Sequence, residues 1–159
     1  MSNNEANAKQ FDIQKVYLKD VSFESPEAPE SFGLKPWNPR LDVNMNNTHT
    51  QIGEGQYEAV LRITLTAFHD DKATFLIEIQ QAGIFVISGF NDDETKYLLG
   101  SQCMSILFPY AREQISDLTV RGGFPPLLLS PVNFDALYQQ HLQSQQEKTA
   151  AAEESDSES

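Results

Sequence analysis

The side chains able to do chemistry in this chain are few, and their spacing assembles no reaction centre. Three histidines, His49, His69 and His141, fall in a Pro- and Asn-rich stretch, a polar turn and a terminal helical pattern. His69-Asp70-Asp71 has the residue types of a metal site, but a turn between two apolar runs selects the same types. Cys103 lies among apolar residues at helical spacing, where a packed thiol is expected rather than a nucleophile. The eight glycines form neither a GxGxxG fingerprint nor a phosphate loop, and no GxSxG elbow occurs. What the chain offers instead is charge and apolar surface in alternation. Asp20, Ser22 and Glu24 share one side of a strand-like run, and Leu76, Glu78 and Gln80 share the polar side of another. If those sides coincide, three carboxylates and a leucine occupy one sheet face with little base nearby. Charges alone usually mark a solvated sheet face; because like charges gathered on strands cost stability, a surface for a basic partner is the alternative.

The elements that would carry these residues can be read from periodicity. Tyr57–Phe68 alternates strictly, with Tyr57, Ala59, Leu61, Ile63, Leu65 and Ala67 on one side. A polar turn, His69-Asp70-Asp71-Lys72, leads into Thr74–Ile87, which alternates again, so the pair forms an antiparallel hairpin. In Phe11–Glu24 the apolar phase slips from Phe11/Ile13 to Val16/Leu18 and then to Val21/Phe23. Slips of that kind mark β-bulges. Leu41, Val43 and Met45 alternate within a long Pro- and Asn-rich segment and give a short fourth strand. Ser25–Arg40 is then an ordered crossover loop, in which Phe32 and Trp37 either pin the loop to the sheet or serve a binding role. Asn91 opens a helical pattern through Leu107, Ala111, Ile115 and Leu118, which stops at Gly122-Gly123. Pro109 is expected to kink that helix. Asn133 caps a last helix with a stripe of Phe134, Leu137, Tyr138, His141 and Leu142. Strands followed by helices define an α+β domain.

Composition narrows the classes further. The 159 residues hold 23 acidic against 11 basic side chains, a formal charge of −12. Phosphate backbones and anionic membrane surfaces repel such a chain. The longest apolar stretches, Gly83–Ile87 and Leu127–Leu129, fall far short of the roughly 20 residues a membrane helix needs. Met1–Gln10 contains no apolar run, so no secretory signal is expected. The single cysteine excludes an internal disulfide and fits a reducing compartment, the cytoplasm. Residues 1–10 are expected to be flexible and 11–145 to form one domain. Residues 146–159, with five carboxylates against Lys148, form a disordered acidic tail.

Several long stretches resemble one family. Tyr17-Leu18-Lys19-Asp20-Val21-Ser22-Phe23-Glu24, Gln80-Gln81-Ala82-Gly83-Ile84-Phe85 and Leu107-Phe108-Pro109-Tyr110-Ala111-Arg112-Glu113 are similar to the bacterial SecB export chaperones. So is Phe124-Pro125-Pro126-Leu127-Leu128-Leu129-Ser130-Pro131-Val132-Asn133-Phe134-Asp135-Ala136-Leu137-Tyr138, and the likeness spans about Phe11 to Gln143. The resemblance implies a four-stranded antiparallel sheet, a long helix, a C-terminal helix and a tetramer built as a dimer of dimers. It implies an ATP-independent holdase without cofactor or metal, which keeps unfolded precursors export-competent and passes them to the translocation ATPase SecA. On that resemblance Trp37, Leu41, Val43, Met45, Tyr138 and Leu142 match the client groove, and Asp20, Glu24, Leu76 and Glu78 match the SecA-binding face. From the residues alone two other readings stay open: an acidic adaptor for one folded basic partner, and a small cytosolic enzyme.

Overall fold

Strict alternation of apolar and polar residues gives the centre of the molecule two long strands, β3 (Gln56–His69) and β4 (Lys72–Ser88). They are joined through Asp70 and Asp71, both at positive φ (49° and 66°), a tight turn that aspartate tolerates. A computed structural model gives the fold for residues 8–33 and 36–157. β1 (Gln10–Glu24) pairs with β4, and β2 (Arg40–Gly53) pairs with β3, all antiparallel, in the order β1-β4-β3-β2. The expected flexible N-terminus lies outside the described residues up to position 7.

The two phase slips in β1 are bulges. The register jumps between Ile13 and Lys15 and again between Leu18 and Asp20, so Phe11/Ile13, Val16/Leu18 and Val21/Phe23 all reach the inner face. Gln81 braces the second bulge from that side, donating its amide to the Tyr17 carbonyl at 3.0 Å. It is buried, and an amide left unpaired there would cost about 1–3 kcal/mol.

β2 is longer than the short strand expected over Leu41–Met45. Its second half, Asn46–Gln51, is polar on both sides because it forms a sheet edge, and so it lacks the alternation that would reveal it. Helices follow: α1 (Asp92–Tyr97), a π-helical segment (Leu98–Gln102) and α2 (Cys103–Arg121). Asn91 caps α1, its side chain accepting from the Glu94 amide at 2.8 Å. The helix is continuous through Pro109, whose ring faces solvent; the irregular turn falls earlier, at Leu98–Gln102, and not at the proline as expected.

α2 lies across β4 and β3 and buries Met104, Leu107, Ala111 and Ile115 on Ile63, Leu65, Ile77 and Ile79. Cys103 is fully buried, and burial pushes its thiol up to about 12, a packed and unreactive group. α3 (Phe134–Ser157) is capped by Asn133, whose side chain accepts from the Ala136 amide at 3.0 Å. It continues as helix through Ser157, where a disordered tail is expected. Every residue from 143 to 157 is exposed, so this stretch is shaped by Ala, Gln and Glu, all strong helix formers, and not by packing.

Gly122 ends α2 at a close approach: a Cβ there would stand 2.2 Å from Phe23 Cζ. Gly122→Ala therefore overpacks the contact between α2 and β1. We expect destabilisation of about 1–3 kcal/mol by chemical denaturation; an unchanged midpoint would refute the contact.

Candidate functional site: an apolar strip and an acidic face on one sheet

Cross-strand register puts the two candidate sets on opposite faces. On the inner face the rows read Leu41–Ala67–Phe75, Val43–Leu65–Ile77–Phe23 and Met45–Ile63–Ile79–Val21. The β3 and β4 members are buried under α2, whereas Leu41 and Val43 on β2 are 37% and 41% exposed. Sheet geometry thus leaves an apolar strip along β2, about 13 Å from Leu41 to Met45.

The strip has a different wall at each end. Trp37, just before β2, stacks on Phe124 (centroids 5.1 Å) and leans on Phe75, with Phe32 against Phe124 at 5.3 Å. It both pins the crossover to the sheet and forms one end of the strip. At the other end Met45, Leu61, Phe134, Leu137, Tyr138 and Leu142 line a groove of about 550 Å³ between β2 and α3. Of the six candidate binding residues, Met45, Tyr138 and Leu142 therefore meet around one groove. Leu41 and Val43 lead from it, and Trp37 stands apart in the aromatic cluster.

The outer face is polar. Its rows read Asp20–Gln80–Arg62–Asn46, Ser22–Glu78–Thr64–Asn44 and Glu24–Leu76–Thr66–Asp42. Asp20, Glu24, Leu76 and Glu78 are neighbours on one surface. Base is closer than the sequence suggests: Arg62 Nε stands 3.9 Å from Glu78, and Arg40 binds Asp42 at 3.1 Å. Alternation along β3 already puts Arg62 on its outer side; the register that brings it to Glu78 is not legible from one strand.

A second group on this face has no local signal in the sequence. Lys19, the extra residue of the second bulge, reaches Glu58 on β3 at 2.7 Å, and the Tyr17 hydroxyl donates to the same carboxylate. The Lys19 hydrogen bond, then that from Tyr17, holds Glu58 below the ordinary carboxylate range. Burial and the Glu58 hydrogen bond push Tyr17 up to about 12, so it stays a donor at every physiological pH. Gln81 inside and Glu58 outside thus clamp the bulge that turns Asp20 and Glu24 outward. His69 lies beside its turn neighbour Asp70, at 3.5 Å, and no cluster of metal-ligand type occurs among the described residues.

These elements define the fold of the SecB-like chaperones. The chain matches a SecB-like chaperone of Mycobacterium tuberculosis, solved in complex with a ChAD peptide from an antitoxin, with a TM-score of 0.66 and 18% identity. That match covers 77% of this chain and 90% of the other. The chain itself belongs to the SecB family of protein-export chaperones: the family model, preprotein translocase subunit SecB, matches residues 4–145. It is 52% identical to the protein-export protein SecB of Hydrogenovibrio crunogenus, over 92% of this chain and 98% of that one. Identity to the Methylococcus capsulatus protein of the same name is 51%, over 94% and 96% of the two chains.

The Glu58 clamp makes stability depend on pH with a definite sign. A depressed carboxylate stabilises the fold above its unfolded value of about 4.3, and the contribution is lost as pH falls through its folded value. Glu58→Gln should therefore flatten the decline of the denaturation midpoint below pH about 4.3. Parallel declines in parent and variant would show that the clamp does not hold the bulge.

Proposed function

We propose that this chain acts as an ATP-independent holdase in the cytoplasm and performs no catalysis. It binds unfolded precursor proteins along the β2 strip and the α3 groove, and delivers them to SecA through the outer acidic face. The observation that carries this reading is the half-exposed row Leu41, Val43, Met45 opening into a groove walled by Tyr138 and Leu142. An extended segment with alternate apolar side chains fits such a track. Each side chain buried contributes about 1.5–3 kcal/mol, so several weak contacts hold a chain without reading its order. Folded proteins hide those side chains and are released. Slow folders stay exposed long enough to be caught.

The same reading makes the protein a homotetramer, a dimer of dimers. Ile13, Leu18 and Val21 on β1 and Tyr110 and Val120 on α2 are exposed apolar side chains in the single chain, and association covers such surplus. Four subunits then bind one client with raised avidity. On the outer face, Asp20, Glu24 and Glu78 attract a basic segment of SecA while Leu76 anchors it. Residues 146–159 take no part in assembly.

One pair of variants tests both surfaces. Val43, Tyr138 and Leu142 replaced together by Ala remove about 2–4 kcal/mol of partial burial, so affinity for an unfolded polypeptide should fall roughly thirtyfold or more. The tetramer mass and SecA binding should persist. Replacing Asp20, Glu24 and Glu78 by their amides should abolish SecA binding and leave client holding intact. The parent's SecA affinity should drop as salt rises, because exposed charges are screened within about 10 Å at 0.1 M. Monomers from the first variant, or both activities lost in either, would overturn the assignment.

A further inference from the structure

Helix α3 forms one wall of the groove, yet little of it is packed. Phe134 lies against Phe108 with ring centroids 5.7 Å apart, and everything from 143 to 157 is exposed. Its position therefore depends on the few contacts of its first two turns: Phe134 on Phe108, and a second set that converges on one short stretch of the preceding helical column.

Asp135, in the first turn of α3, accepts hydrogen bonds from two hydroxyls of that column: Tyr97 Oη, at 2.7 Å, and Ser101 Oγ. Gln102 Nε2 donates to Tyr97 Oη at 3.1 Å and so fixes the phenol from behind. The Tyr97 ring meets the Tyr138 ring edge-on, with centroids 5.6 Å apart and planes at 69°. The Tyr138 ring in turn rests on Gly100, where a Cβ would come within 2.8 Å of its Cδ2 atom. Gly100, Ser101 and Gln102 belong to the π-helical segment, and Tyr97 immediately precedes it. A π turn carries one extra residue and re-aims its side chains, a feature common at functional sites. Here it presents two hydroxyls and a bare backbone notch toward α3.

The contacts differ in kind from the apolar packing around them. Hydroxyls donated to an ionised carboxylate are shorter and stronger than neutral hydrogen bonds. Ser101 is fully buried whereas Asp135 is exposed, so the bond is made at the margin of the core, where it can open without unfolding it.

We propose that Tyr97, Ser101 and Asp135 form a latch that sets where Tyr138 and Leu142 stand, and hence the width of the groove offered to an apolar segment of unfolded chain. They are positioning residues: the latch acts through Tyr138 and need not touch the client. This inference rests on the groove reading given above.

The test removes the hydroxyls and keeps the volumes. Tyr97→Phe combined with Ser101→Ala leaves Asp135 free in solvent; the half-buried Gln102 amide loses its acceptor, and Ser101→Ala alone, which keeps that bond, controls for this. Three quantities are compared with the parent: affinity for a permanently unfolded, fluorescently labelled polypeptide, hydrogen exchange of amides 134–142, and oligomer mass. The latch predicts an affinity loss of about fivefold to tenfold, the effect of one or two hydrogen bonds, together with faster exchange in α3 and an unchanged mass. Tyr97→Phe alone should show a smaller loss in the same direction. Tyr138→Ala serves as the reference for the groove itself. If Tyr138→Ala weakens client binding but the hydroxyl variant does not, the latch is refuted and the groove stands. If neither weakens it, the groove reading fails and the latch with it. Weaker binding without faster exchange in α3 would also refute the latch.

Discussion

One helix is too narrow to cover a four-stranded sheet, and most of this structure follows from that mismatch. Three strand gaps of about 4.8 Å set the outer strands about 14 Å apart, while a helix with its side chains is about 10 Å across. α2 sits over β4 and β3, so Ile63 and Ile79 in the central rows are fully buried. Their row neighbour Val21, on β1, is 37% exposed. The edge strands carry the same apolar alternation as the centre but not the same cover. An edge that faces only water favours polar residues; this chain keeps Leu41, Val43 and Met45 on one edge and Ile13, Leu18 and Val21 on the other.

Strand alternation then separates two surfaces at almost no structural cost. Successive residues of β2 and β1 face opposite ways, so an apolar strip and an acidic face are built from interleaved positions of the same strands. Val43 looks inward and Asn44 outward; Val21 looks inward and Asp20 outward. The arrangement depends on register. Were the second bulge of β1 to close, Asp20 and Glu24 would turn toward the core, which is why that bulge is clamped by Gln81 on one side and by Glu58 on the other.

Much of this was legible in the sequence where one physical signal dominated. The hairpin shows in the strict alternation of Tyr57–Phe68, the bulges in the slipped apolar phase of Phe11–Glu24, and the caps in Asn91 and Asn133. The helix end shows in Gly122-Gly123. The signal failed wherever a residue's environment is set by a distant partner. The second half of β2 is an edge with two polar sides and carries no period. The irregular turn at Leu98–Gln102 lies where the helical column meets α3, and Pro109, the obvious local candidate, sits on the exposed side. The stretch to Ser157 is a separate case: it lies exposed, and the helix formers Ala, Gln and Glu shape it although its composition also suggests disorder. Within the site, Tyr138 and Leu142 announce themselves as an apolar stripe. Arg62, Glu58 and Asp135 are ordinary surface residues until the register and the helix packing bring their partners to them.

The claim at the centre of this account is that unfolded chain binds the uncovered inner strip of β2 and not the sheet's other face. Two adjacent residues separate these possibilities. A photoactivatable side chain placed at Val43 or at Asn44, irradiated with a permanently unfolded polypeptide in the absence of nucleotide, reports which face the client touches. Binding on the inner strip predicts strong adduct formation from position 43 and little from 44. Equal labelling from both positions, or adducts from 44 alone, would contradict it.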